Sequence, residues 1–127
     1  MAVDTRKVVI VDDPNAGYYS SSALDQNEAT HFAYVDLSTG ELKYVQKIED
    51  NWVIEVVDET GTDDGQRTCL VMDAAGRPHL SYYDPKRKSL KYAWHDGTDW
   101  VISEVTPSAG GNIGQYAALA LDSSGNA

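Results

Sequence analysis

A period of 48 residues runs through this chain. Asp25, His31, Tyr34, Asp36, Leu42, Lys43, Tyr44 and Trp52 return, each 48 positions later, as Asp73, His79, Tyr82, Asp84, Leu90, Lys91, Tyr92 and Trp100. Val53 and Ile54 return as Val101 and Ile102. A third copy starts one residue late, with Leu119-Ala120-Leu121-Asp122 answering Leu70-Val71-Met72-Asp73. A repeat of this length restricts the chain to arrays, solenoids or propellers, in which one supersecondary unit is stacked against copies of itself.

Each period divides into four apolar stretches separated by turn residues. In the first copy they are 20–25, 31–36, 41–46 and 52–57; in the second they are 68–73, 79–84, 89–94 and 100–105. The stretches are rich in Val, Ile, Tyr, Trp and Thr, the residues that suit strands. Leu90, Tyr92 and Trp94 alternate with Lys91 and Ala93, which is the period of a strand, and no window shows helical spacing. Asp96-Gly97 predicts a tight two-residue hairpin turn. Four short antiparallel strands make a small sheet with two faces, at least one of which must be covered. Radial stacking of like sheets does this, so the expected class is all-β, a β-propeller of four-stranded antiparallel blades.

The chain, with 127 residues, has the length of one domain, and 42% hydrophobic content is enough for a packed core. A net charge of -10 argues against nucleic acid and anionic membrane surfaces as partners. The single cysteine, Cys69, excludes an internal disulfide and is read as a buried, inert thiol. Val8-Val9-Ile10-Val11 is too short for a membrane span or the core of a signal peptide, so no export signal is expected in the chain as written.

Leu119 to Asn126, Pro78 to Asp84, Leu90 to Ala93, and Asp96-Gly97 with Trp100 together resemble a family of bacterial and archaeal propeller-type repeats. The resemblance spans most of the chain and is strongest in the second copy; the first departs from it at His31 to Asp36 and at the Asp50-Asn51 turn. It implies repeated blades, an exported or cell-surface parent protein, and no assigned activity.

Residues repeated in every unit suit packing better than catalysis, which is needed once. Trp52 and Trp100 read as wedges between neighbouring blades, with Tyr34, Tyr82, Tyr44 and Tyr92 filling the same interfaces. Asp36 and Asp84 are placed to accept amides of the following turn. His31 and His79 read as structural hydrogen-bonding residues, the other possibility being a ligand set around an axis.

The units do not close. Residues 1–17 contain the last strand of a preceding blade, 18–65 and 66–114 are full blades, and 115–127 hold the first strand of a following one. Propellers have about four to eight blades. The chain is therefore a segment of a longer propeller, a unit that associates with its own copies, or one completed by another chain; association through open blade edges is the expectation.

Two sets of residues are candidate sites. Asp58, Glu59, Asp63 and Asp64 form an acidic segment around glycines that is either a Ca²⁺ site or a solvated connection. Tyr83 and Asp84 with Lys86 and Arg87, and Tyr116 at the corresponding point of the next unit, make an aromatic and polar patch suited to a sugar ring or a protein. The chain lacks a nucleophile elbow, an H-E-x-x-H pair and a phosphate loop. The expected function is a non-enzymatic structural or interaction repeat, with a lectin-like glycan-binding segment as the alternative and a fragment of a sialidase-like hydrolase behind it.

Overall fold

The computed structural model of the chain describes residues 11–12, 16–61, 67–106 and 118–127. Eight strands form two four-stranded antiparallel sheets. The first holds β1 (Tyr18–Leu24), β2 (Thr30–Asp36), β3 (Glu41–Ile48) and β4 (Asn51–Glu59) in that spatial order. The second holds β5 (Thr68–Met72), β6 (Pro78–Asp84), β7 (Ser89–His95) and β8 (Trp100–Glu104), likewise in order. No helix occurs among the described residues.

Alternation sorts the side chains onto faces. Ala33 lies opposite Tyr44 and Val35 opposite Leu42, so these four share one face of the first sheet. Leu80 pairs with Ala93 and Tyr82 with Lys91, and Leu70 lies beside Leu80 on the same face of the second sheet. The two faces meet, and Ala33, Val35, Leu42, Tyr44, Leu70, Leu80, Tyr82 and Ala93 are the body of the core. Burial of this apolar area between sheets is the main driving force for the arrangement.

The strands β1 and β5 lie side by side, and their edges are tied rather than left open. The Thr68 hydroxyl donates to the Tyr19 carbonyl at 2.7 Å, and the Leu70 amide donates to the Ser21 hydroxyl at 3.0 Å. The far edges, β4 and β8, keep Ile54, Val56, Val101 and Ile102 exposed.

The turn after the first strand is the same in all three copies. Asp25 accepts the amides of Asn27 and Ala29, Asp73 those of Ala75 and Arg77, and Asp122 those of Ser124 and Asn126. Its left-handed position is Gly76 (φ 75°) and Gly125 (φ 81°) in two copies but Glu28 (φ 61°) in the first. A Cβ is disfavoured there. Glu28→Gly is therefore expected to stabilise the chain by about 0.5 kcal/mol after the added freedom of the unfolded state is subtracted, seen as a higher thermal midpoint.

Two expectations are corrected. Residues 118–122 do not form a strand. A first strand is held by the strand after it, as β1 is by β2 and β5 by β6, and no strand among the described residues pairs with 118–122. Asp96-Gly97 is not a two-residue hairpin: β7 and β8 pair out to His95 and Trp100, leaving a four-residue loop. Asp96 shapes it by accepting the amides of Thr98 and Asp99. The other expected flanking strand falls mainly on Val8 to Ile10, outside the described residues; Val11 is in no strand.

Candidate interface on the far face of the second sheet

The repeated polar residues join into two constellations, each present twice. In one, His31 bridges Asp25 (3.0 Å from Nε2) and the Tyr44 hydroxyl (2.6 Å from Nδ1). His79 bridges Asp73 (2.9 Å) and Tyr92 (2.6 Å) in the same way. An ionised carboxylate can only accept, so the hydrogen of a neutral imidazole sits on Nε2, and Nδ1 then accepts from the tyrosine hydroxyl. Burial pushes the Tyr44 and Tyr92 hydroxyls up, so they stay protonated donors. His31 holds Asp25 below the ordinary carboxylate range. These are braces between the turn, the second strand and the third, not activated nucleophiles.

In the other constellation a lysine sits between two carboxylates beside a tyrosine. Lys43 bonds Asp36 at 2.8 Å and Asp12 at 3.0 Å, and the Tyr34 hydroxyl donates to Asp12 at 2.8 Å. Lys91 bonds Asp84 at 2.6 Å and Asp58 at 2.8 Å, and the Tyr82 hydroxyl donates to Asp58 at 2.8 Å. Asp58 belongs to β4, so the second network ties the two sheets together. Burial works against charge on Asp58, but the bonds from Lys91 and Tyr82 outweigh it and hold its carboxyl low.

Lys43 and Ser38 hold Asp36 at about 2, against an ordinary 3.8. The unfolded chain therefore takes up protons at higher pH than the folded one. The stability these carboxylates contribute is complete above their ordinary range and fades as pH falls through about 4 toward about 2. Urea midpoints measured across that window should drop steadily on acidification.

These placements settle where the candidate residues are. Asp58, read from sequence as part of an acidic metal loop, lies on a strand with its carboxylate held by Lys91 and Tyr82. Glu59 ends that strand and is exposed, while Asp63 and Asp64 lie outside the described residues. Among the described residues no cluster of three or more His, Cys, Asp or Glu is placed to hold a metal. Tyr83 and Asp84, read as a surface patch, are only 3% and 1% exposed, because β6 is buried along its whole length. Asp84 instead accepts the amides of Lys86 and Arg87, as Asp36 accepts that of Ser38. Lys86 and Arg87 are exposed, and Tyr116 lies outside the described residues. Trp100 packs edge-on against Tyr44 of the other sheet at 5.3 Å and donates to Glu55 at 3.0 Å. Trp52 lies against Phe32 of its own sheet at 6.0 Å. Cys69 is half-buried, with its sulfur 3.9 Å from the Leu119 carbonyl.

What remains is a face. Ser81 pairs with Tyr92 and Tyr83 with Leu90, which puts these four on the side of the second sheet away from the first. They stand 48 positions after Ala33, Tyr44, Val35 and Leu42, the residues the first sheet buries against the second. The far side is open in part. A cleft of about 570 Å³ separates it from residues 118–127, lined by Ser81, Leu90, Tyr92, Val105, Ala118 and Leu119 among others. Val57 is 7% exposed at the covered face, whereas its counterpart Val105 is 54% exposed. The Ser81 hydroxyl is buried at this cleft with no hydrogen-bond partner. That an unclosed pair of blades leaves an apolar face at each end follows from the repeat count, but which residues stay exposed there does not, because nothing in the letters distinguishes a covered copy from an uncovered one.

No family model and no curated protein matches the chain. Among solved structures it is similar to a fucose lectin from Kordia zhangzhouensis in complex with methyl-fucoside. The TM-score is 0.47 at 18% sequence identity, over 72% of this chain and 64% of the lectin chain. The match thus spans less than two thirds of that protein. No helix among the described residues is long and apolar enough to cross a membrane.

Proposed function

We propose that this chain is a non-enzymatic structural and interaction module of the β-propeller type. Its two sheets act as neighbouring blades, and it associates with further copies through the far face of the second. The observation that carries the reading is the open face. Leu90, Tyr92 and Val105 occupy the positions that Leu42, Tyr44 and Val57 occupy where one sheet is already covered by another. A face of this composition is stabilised by a partner sheet, and like faces accept like partners. The repeated polar groups support a non-catalytic role, since they are bonded to one another inside and between the sheets.

Solution mass measured from about 1 to about 100 µM, the range of weak and moderate interfaces, tests this. The mass should rise with concentration, and Tyr92→Lys should abolish the rise while the far-ultraviolet spectrum stays that of a β protein. A monomer at every concentration would refute the reading.

A second reading has its own support in the unpartnered Ser81 hydroxyl, which lines the cleft with Lys91, Tyr92 and Asn126. A glycan there would meet an aromatic residue and hydroxyl- and amide-bearing side chains. Binding on a glycan array that is lost in Ser81→Ala and Tyr92→Ala would favour it over self-association.

A further inference from the structure

We infer that the far face of the second sheet receives the first sheet of another copy, and that this copy brings Asp12 as the junction carboxylate. The inference rests on the association reading and specifies its partner. At the junction inside the chain, the carboxylate comes from the covered sheet: Asp58 of β4 reaches across to Tyr82 and Lys91 of the next sheet. The register places Asp58 opposite Leu42, after a bulge.

The same position in the second sheet is Thr106. It stands 48 residues after Asp58, and the Leu90 amide donates to its hydroxyl at 3.0 Å. Val105 and Thr106 both donate to the Leu90 carbonyl, so the bulge is reproduced there and only the acid is missing. A sheet arriving at this face with its tyrosine and lysine unprovided would bury a cation with one carboxylate fewer than Lys91 has. The first sheet arrives provided: Tyr34 and Lys43 already hold Asp12 of their own chain at 2.8 and 3.0 Å. The carboxylate absent from one end of the molecule is thus present, on the matching residues, at the other. A second sheet of another copy cannot present its matching face, because the side that carries Leu80, Tyr82 and Lys91 is already packed against the first sheet inside that copy. The contact is therefore head-to-tail, of the kind that closes a ring or runs on as a chain.

A charge relocation tests the assignment by sedimentation equilibrium. Asp12→Ala removes the junction acid and should weaken association about 10-fold or more, the effect of truncating one partner of a buried charge pair. Thr106→Asp alone sets a second acid against Asp12 and should weaken it as well. The double variant Asp12→Ala/Thr106→Asp restores one acid, now from the covered sheet as at the internal junction, and should recover association to within about threefold of the parent chain. If the parent chain associates but the double variant is no better than either single one, the occupant is not the first sheet and this inference fails while the association reading stands. If the parent chain does not associate, both fail.

Discussion

Lys91→Met is expected to cost the folded chain about 3–5 kcal/mol, the loss seen when one member of a buried ionic network is removed. Lys91 is the cation between Asp84 at 2.6 Å and Asp58 at 2.8 Å, and it belongs to a different sheet from Asp58. Methionine keeps the length and packing of the stem. What is lost is the charge, leaving two carboxylates facing each other, with Asp84 only 1% exposed. Urea unfolding of three variants separates the causes. Adding Asp84→Asn and Asp58→Asn to Lys91→Met removes the stranded charges and should return more than half of the lost stability. Lys47→Met provides the contrast, because Lys47 meets exposed Asp50 at 4.0 Å and such surface pairs are worth at most about 1 kcal/mol. Equal losses in the Lys91 and Lys47 variants would show that the junction network contributes nothing.

Leu42→Ala should cost about 3 kcal/mol and Leu90→Ala about 1 kcal/mol, although the two leucines hold the same place in the repeat. Leu42 is fully buried in the core between the sheets, where truncation leaves a cavity that cannot collapse. Leu90 is half-buried and lines the cleft, so its truncation opens no enclosed void. Urea unfolding at low protein concentration measures the difference. At concentrations where copies associate the cost of Leu90→Ala should grow toward that of Leu42→Ala, because a covering sheet would enclose it too.

Much of the architecture was legible in the letters. Alternation and turn residues located the eight strands of both sheets to within a few residues, because strand period and turn chemistry are local properties. The turn at Asp122 shows how local. It forms with the same amides bonded as at Asp25 and Asp73, although no strand among the described residues pairs with those that precede it. The Asp96 loop was misread for a local reason of a different kind. A carboxylate able to accept two amides outweighs the preference of the Asp-Gly pair for a two-residue turn.

The candidate site was less legible. Asp58 is acidic in a segment of acids, and nothing near it in sequence announces Lys91, 33 residues away. Tyr83 sits on the side of its strand opposite the core and yet is buried, which alternation cannot foresee when the far face of a sheet is covered at one strand and open at the next. The bonding of His31 to Asp25 and Tyr44 could have been found, since all three recur at the same offset and a sheet of this register brings them together.

Periodicity in the letters establishes the unit, its four strands and the identity of the groups that must pair, because these depend on residue type and short-range spacing. Which copy of a residue is enclosed, which acid serves which lysine, and where an apolar surface is left open depend on what lies across a gap between sheets. That gap is filled by residues distant in the chain or by none, so coverage is a property of the assembled fold alone.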